Sequence, residues 1–214
     1  MKRTLPRLSA DLNIGSTLTF ASQQALDSGD DIRDALFEND ALEDLSGHRL
    51  EFFSCRFRGC TFQSLDIAHL CFVDCIFENC ELINLDINDG SIHRCEFHAC
   101  RCTGLHLNEC SLRDILWREC SLTYASLFLC RAKAVLYEKC KLDSAAFTET
   151  PLKNVEFREC SLRRAEFQRS PLADVDLNSD DIEGVRVELS LLRGAIVTPV
   201  QALMLASLLG LIVK

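Results

Sequence analysis

The stretch Cys55-Arg56-Phe57-Arg58-Gly59, answered twenty residues later by Cys75-Ile76-Phe77-Glu78-Asn79, decides the fold. Each unit has a small residue, a polar or branched one, a large apolar one and two more that favour solvent. Every fifth residue from Ile32 to Leu192 gives 33 positions, and 30 of them hold Ile, Leu, Val, Phe, Tyr or Trp. Gly47, Cys102 and Ala132 are the exceptions. Two residues before each lies a second periodic slot, from Ala35 to Ala195, filled mainly by Ala, Cys, Val and Leu. Neither an α-helix at 3.6 residues per turn nor a strand at 2 has a period of five. A coil whose every side is one five-residue unit has it, with two side chains inward and three outward.

Four sides make a coil of 20 residues, so residues 20 apart should stack at the inter-strand spacing of about 4.8 Å. The column Phe37, Phe57, Phe77, Phe97, Trp117, Tyr137, Phe157, Leu177 is almost wholly aromatic. A second column reads Cys60, Cys80, Cys100, Cys120, Cys140, Cys160. A third reads Leu45, Leu65, Leu85, Leu105, then Ala125, Ala145, Ala165. Such homogeneity is what stacked repeats produce. The pattern over residues 30 to 195 resembles the pentapeptide-repeat family, which Ala165-Glu166-Phe167-Gln168-Arg169 also matches. The resemblance implies an all-β, right-handed quadrilateral β-helix. About 165 residues at 20 per coil give about eight coils and a rod of roughly 38 Å.

The unit runs on without insertion, so no loop interrupts a coil. Residues 1–29 lack the register and are expected to cap the first coil, 30–197 to form the β-helix, and 198–214 to form a helix and tail. Thr198-Pro199-Val200-Gln201 carries an N-cap Thr, a first-turn Pro and a Gln in the capping-box position. The helix is expected to run to about Leu209 and stop at Gly210. Its apolar residues exceed what one buried face needs. Leu203, Leu205, Ala206, Leu208, Leu209, Leu211, Ile212 and Val213 are therefore expected to form a homodimer interface.

Eleven of the thirteen cysteines fall in the small inward slot, Cys102 in the large one, and Cys71 alone points outward. Packing as small apolar residues in a reducing compartment explains them better than disulfides. His93, Cys95, His98, Cys100 and Cys102 have the composition of a zinc site. Their register sends the histidines out and the cysteines in, which excludes a shared metal. A solid interior of Phe, Leu, Ile and Cys offers no concavity for catalytic groups. The expectation is a binding protein without enzymatic activity, cofactor or metal. The longest apolar stretch, Ala202 to Val213, is too short to span a bilayer. No signal-peptide-length apolar run follows the basic amino terminus. A cytoplasmic protein without membrane or nucleic-acid binding is expected.

The net charge of −9 is uneven, with −8 in residues 1–107 and −1 in 108–214. No Lys or Arg occurs from Thr61 to His93, while Asp66, Asp74, Glu78, Glu81, Asp86 and Asp89 are all expected outside. A second group, Asp174, Asp176, Asp180, Asp181 and Glu183, is expected on the last coils. These acids, Asp89 excepted, are the candidate partner contacts. An outward apolar column, Leu36, Ile76, Leu116 and Leu136, is a further candidate contact stripe. The run from Gly194 to Val213 is similar to the ending of Qnr-type quinolone-resistance proteins, notably Gram-positive ones. That resemblance implies a dimer that imitates DNA, binds DNA gyrase or topoisomerase IV, and protects it from fluoroquinolones. The projecting loops of that subfamily are missing here. The open alternatives are self-immunity against a gyrase-poisoning natural product and a scaffold for an unrelated protein.

Overall fold

The computed structural model describes residues 3–209, apart from the side chain of Ser207. The chain winds as a parallel β-solenoid of about eight coils, with short strands on each side of the coil. Every register pair is 20 residues apart: Phe37 with Phe57, Phe57 with Phe77, Phe77 with Phe97, and Phe97 with Trp117. Each strand thus satisfies its backbone groups on the coils before and after it, which a lone three-residue strand cannot do.

Corners are turned by the fifth residue of the unit. Asp34, Asn39, Asp44, Ser54, Asp74 and Asn79 all have φ between 50° and 56°, in the left-handed region where Asn and Asp are the least disfavoured L-residues. Later coils use Arg94, Ala99, Leu129 and Ala134 in the same conformation. The corners at Arg49 and His69 are different, because the strands Ser46–Phe53 and Asp66–Val73 run straight through them.

The interior is solid. The rings of Phe57 and Phe77 lie 4.6 Å apart, Phe77 and Phe97 4.5 Å, and Phe97 and Trp117 3.8 Å, all stacked within 15° of parallel. Twelve cysteines are buried and Cys71 is half-exposed. Their thiols do more than fill space. Cys75 Sγ donates to the carbonyls of Phe52 (3.5 Å) and Val73 (3.4 Å), and Cys95 Sγ to those of Phe72 and His93 (3.4 Å each). Thr150 and Ser170 occupy equivalent slots and repeat the pattern, Thr150 Oγ1 donating to Leu127 and Thr148. A small side chain with one polar hydrogen is what this slot needs.

The helix α1 (Leu18–Ser28) covers the first coil. Thr17 caps it, Asp40 Oδ2 accepts from the Leu18 N–H, and Gly29 ends it at φ 78°. Leu26 explains the missing side chain at position 47: a Cβ on Gly47 would sit 2.5 Å from Leu26 Cδ2. At the other end α2 (Pro199–Ala206) is followed by a tighter turn, Ser207–Leu209, so the α-helical part is shorter than expected. The expected capping box forms: the Thr198 N–H donates to Gln201 Oε1 and the Gln201 N–H to Thr198 Oγ1. Gly210, Leu211, Ile212 and Val213 lie outside the described residues.

Residues before α1 depart from the expectation that they cover the first coil. They form a strap along the side of the rod. Backbone N–H groups of Thr4, Arg7 and Ser9 donate to Asp114, Asp74 and Ser54, and Asn13 pairs with Asp34 and Leu36.

Candidate functional site

With the interior of the coils filled by buried side chains, the candidate site is the outer surface, and the twenty-residue register dictates its electrostatics. Side chains 20 apart stand on neighbouring coils, so opposite charges at that spacing meet. Asp74 takes a bidentate grip from Arg94 at 2.7 Å. Glu78 pairs with Arg58 (2.7 Å), which also reaches Glu38 (3.1 Å). Glu81 pairs with Arg101, Asp86 with His106 (2.7 Å), and Glu166 with Arg186 (2.6 Å). Burial works to raise Asp74, but Arg94 and the Arg7 N–H outweigh it and hold its carboxyl below the usual range. Exposed pairs of this kind add only about 0–1 kcal/mol each. Their larger effect is on the field that a partner meets.

The open acidic face expected over Asp66 to Asp86 is therefore corrected. Asp74, Glu78, Glu81 and Asp86 each face a cation or a histidine, and only Asp66 stands exposed without one. On the last coils Asp174 and Asp176 are exposed without a cationic partner, whereas Asp181 and Glu183 share Arg163 at 3.1 and 2.6 Å. Asp180 is not on the surface at all. It is 7% exposed and sits in the small inward slot as the next member of the Cys60-to-Cys160 column. Its Oδ1 accepts the Cys160 N–H at 2.7 Å, and its Oδ2 has no partner. Burial raises its carboxyl to about 6, against the pull of the Cys160 N–H.

The apolar column is corrected as well. Leu116 is 2% exposed, and Leu36, Ile76 and Leu136 are half-buried. The strap is anchored along this side, with Arg3 Nη2 on Glu96 at 2.7 Å and the Thr4 N–H on Asp114 at 2.9 Å. The hydrogen bond from His98, then Arg3 working against burial, takes Glu96 down to about 2. The strap has little signal in the sequence, because apart from Arg3 its anchors are backbone N–H groups that any sequence supplies.

At the carboxyl end Gln201 is buried, its Nε2 donating to the carbonyls of Leu177 (2.7 Å) and Asp180 (2.9 Å). It thereby closes the last coil. Val200, Leu203 and Leu209 are 62%, 59% and 59% exposed, and Ile196 and Leu189 add to the same apolar end. Leu205, Ala206 and Leu208 are half-buried.

His93 and His98 lie on the outside and Cys95, Cys100 and Cys102 inside, the former hydrogen-bonded to Ser111 and Glu96. Among the described residues no three His, Cys, Asp or Glu converge as a metal cluster would require. No helix among them is long and apolar enough to cross a membrane.

Two family models match the repeats, one for a pentapeptide repeat region at residues 70–147 and one for pentapeptide repeats at 140–178. Together they span just over half of the chain. The chain belongs to the pentapeptide-repeat family. Among solved structures, trypsin-treated QnrB1 carrying one substitution, a plasmid-mediated fluoroquinolone resistance protein, is 24% identical, with a TM-score of 0.43 and coverage of 87% of this chain and 91% of that one. Full-length QnrB1 is 15% identical, with a TM-score of 0.32 and coverage of 85% and 99%. HetL, a protein of heterocyst differentiation regulation from the cyanobacterium Nostoc, is 12% identical, with a TM-score of 0.29 and coverage of 81% and 92%. No curated protein matches the sequence.

Proposed function

We propose that this pentapeptide-repeat rod binds a type II topoisomerase, DNA gyrase or topoisomerase IV, as a homodimer, and protects it from fluoroquinolones. The observation that carries the reading is the carboxyl end. Its sequence from Gly194 to Val213 resembles the Qnr-type ending, and Val200, Leu203 and Leu209 expose an apolar surface beside the capped last coil. A twofold contact between such ends covers that surface and doubles the rod, with Leu211, Ile212 and Val213 as further expected contacts. A rod without an interior cavity, at net charge −9, meets a basic DNA-binding groove through its surface. The contacts proposed are the acids left without a cation, Asp66, Asp174 and Asp176, with Asp181 and Glu183 at the rim. The activity proposed is binding, not catalysis, in the cytoplasm and with no cofactor.

The test is gyrase supercoiling with a fluoroquinolone, with and without the rod. Restored supercoiling at micromolar protein is the expected result, and no protection at that concentration rejects the reading. The paired state of Asp74, Glu78, Glu81 and Asp86 favours a second reading, a scaffold for a protein unrelated to topoisomerases. A pull-down that recovers other proteins and no topoisomerase selects it.

A further inference from the structure

Many charged residues stacked on successive coils of this rod alternate in sign. Glu38, Arg58 and Glu78 do so, as do Glu81 with Arg101, Glu149 with Arg169 and Glu166 with Arg186. Acid stands over acid at Asp66 and Asp86 and at Asp89 and Glu109, but base stands over base in one column. Arg113, Lys133 and Lys153 follow one another at twenty-residue spacing, and Arg113 and Lys133 are direct register partners. All three are exposed, and Arg131 is exposed beside Lys133 on the same face. Arg113 leans on Asp114 at 3.4 Å; Arg131, Lys133 and Lys153 have no ion pair among the described residues. Like charges stacked directly opposite are destabilising. Stacking three bases in one column therefore works against the free rod.

We propose that the Arg113–Lys133–Lys153 column, with Arg131, is a docking surface for an extended acidic segment of a partner protein. The strap shows how a chain lies along this rod. From the Ser9 N–H on Ser54 to the Arg7 N–H on Asp74 it spends two residues on one coil, and from there to the Thr4 N–H on Asp114 three residues on two coils. A segment with the spacing of the Ser9-to-Arg7 step places alternate side chains once per coil. Asp or Glu at every second position then meets Arg113, Lys133 and Lys153 in turn. A wide polyanion such as duplex DNA fits worse, because exposed Glu109 stands on a flanking column. This surface is independent of the topoisomerase reading, and its partner class is protein.

The test is fluorescence anisotropy at low ionic strength with a labelled peptide carrying Glu at alternate positions. Saturable binding is expected, weakened at least tenfold by Lys133→Glu. The same substitution restores sign alternation between Arg113 and Lys153, so the melting temperature of that variant should hold or rise. Lys141→Glu, an exposed base stacked between Ser121 and Ser161 on another side, should leave the affinity unchanged. Absence of saturable binding overturns the proposal. So does an equal loss in Lys141→Glu, which reduces the effect to net charge, or tighter binding of a single-stranded oligonucleotide of equal charge.

Discussion

Asp180 gives the sharpest quantitative test of the interior. Neighbours in its slot, such as Cys160 and Ser170, donate their polar hydrogen to carbonyls 23 and 2 residues earlier. An ionised carboxylate has no hydrogen to donate, and Oδ2 of Asp180 is buried without a partner. A protonated one meets the demand of the slot. The carboxyl accordingly rises from 3.8 to about 6 on folding. The native state holds a proton that the unfolded chain releases between those values, so stability falls as pH rises from about 4 to about 6. A shift of about 2 units at 1.36 kcal/mol per unit is about 3 kcal/mol lost at neutral pH. Replacing the residue by Ser, which donates at any pH, should recover about 2–3 kcal/mol at pH 7.5 and almost nothing at pH 4. Urea unfolding of both proteins at the two pH values measures this. The difference between them cancels groups with opposite slopes, such as Glu96, whose contribution is lost as pH falls from 4.5 toward 2. A variant gain that is the same at both pH values refutes the argument, and so does a loss at pH 7.5.

Phe97→Ala removes a fully buried ring stacked between Phe77 and Trp117, and should cost about 3–5 kcal/mol in urea melts. A loss below about 1 kcal/mol would contradict the stacked column. Gln201→Ala strips the carbonyls of Leu177 and Asp180 of their buried donor and breaks the capping box. It should cost about 2–3 kcal/mol and loosen α2, read as faster amide exchange around Leu203. Deleting one whole coil, residues 91–110, keeps the register and should give a shorter folded rod. Deleting residues 91–100 puts unlike faces over one another and should not fold.

The period of five and the columns twenty apart were enough to read the solenoid, the inward cysteines and the capping box at Thr198. The same spacing also fixes the ion pairs. Asp74 with Arg94 and Glu81 with Arg101 are twenty apart in the sequence, so their pairing follows from the rule that stacks Phe77 on Phe97. Asp180 shows which of two signals is stronger. Its charge argued for the surface, its register placed it inside, and the register prevailed, because an outward turn there would break the coil's inward–outward order. The strap and the left-handed corners at Arg94, Ala99 and Leu129 had no comparable signal. The first relies on backbone donors and one arginine, and the second on a conformation imposed by the coil against local preference.

The central functional claim is occupation of a topoisomerase in place of DNA. Its most direct measurement is the binding of labelled rod to purified gyrase, challenged with unlabelled linear duplex. The account predicts saturable binding at micromolar concentration or below, and displacement by the duplex. Absence of binding, or binding that duplex DNA leaves untouched, contradicts it.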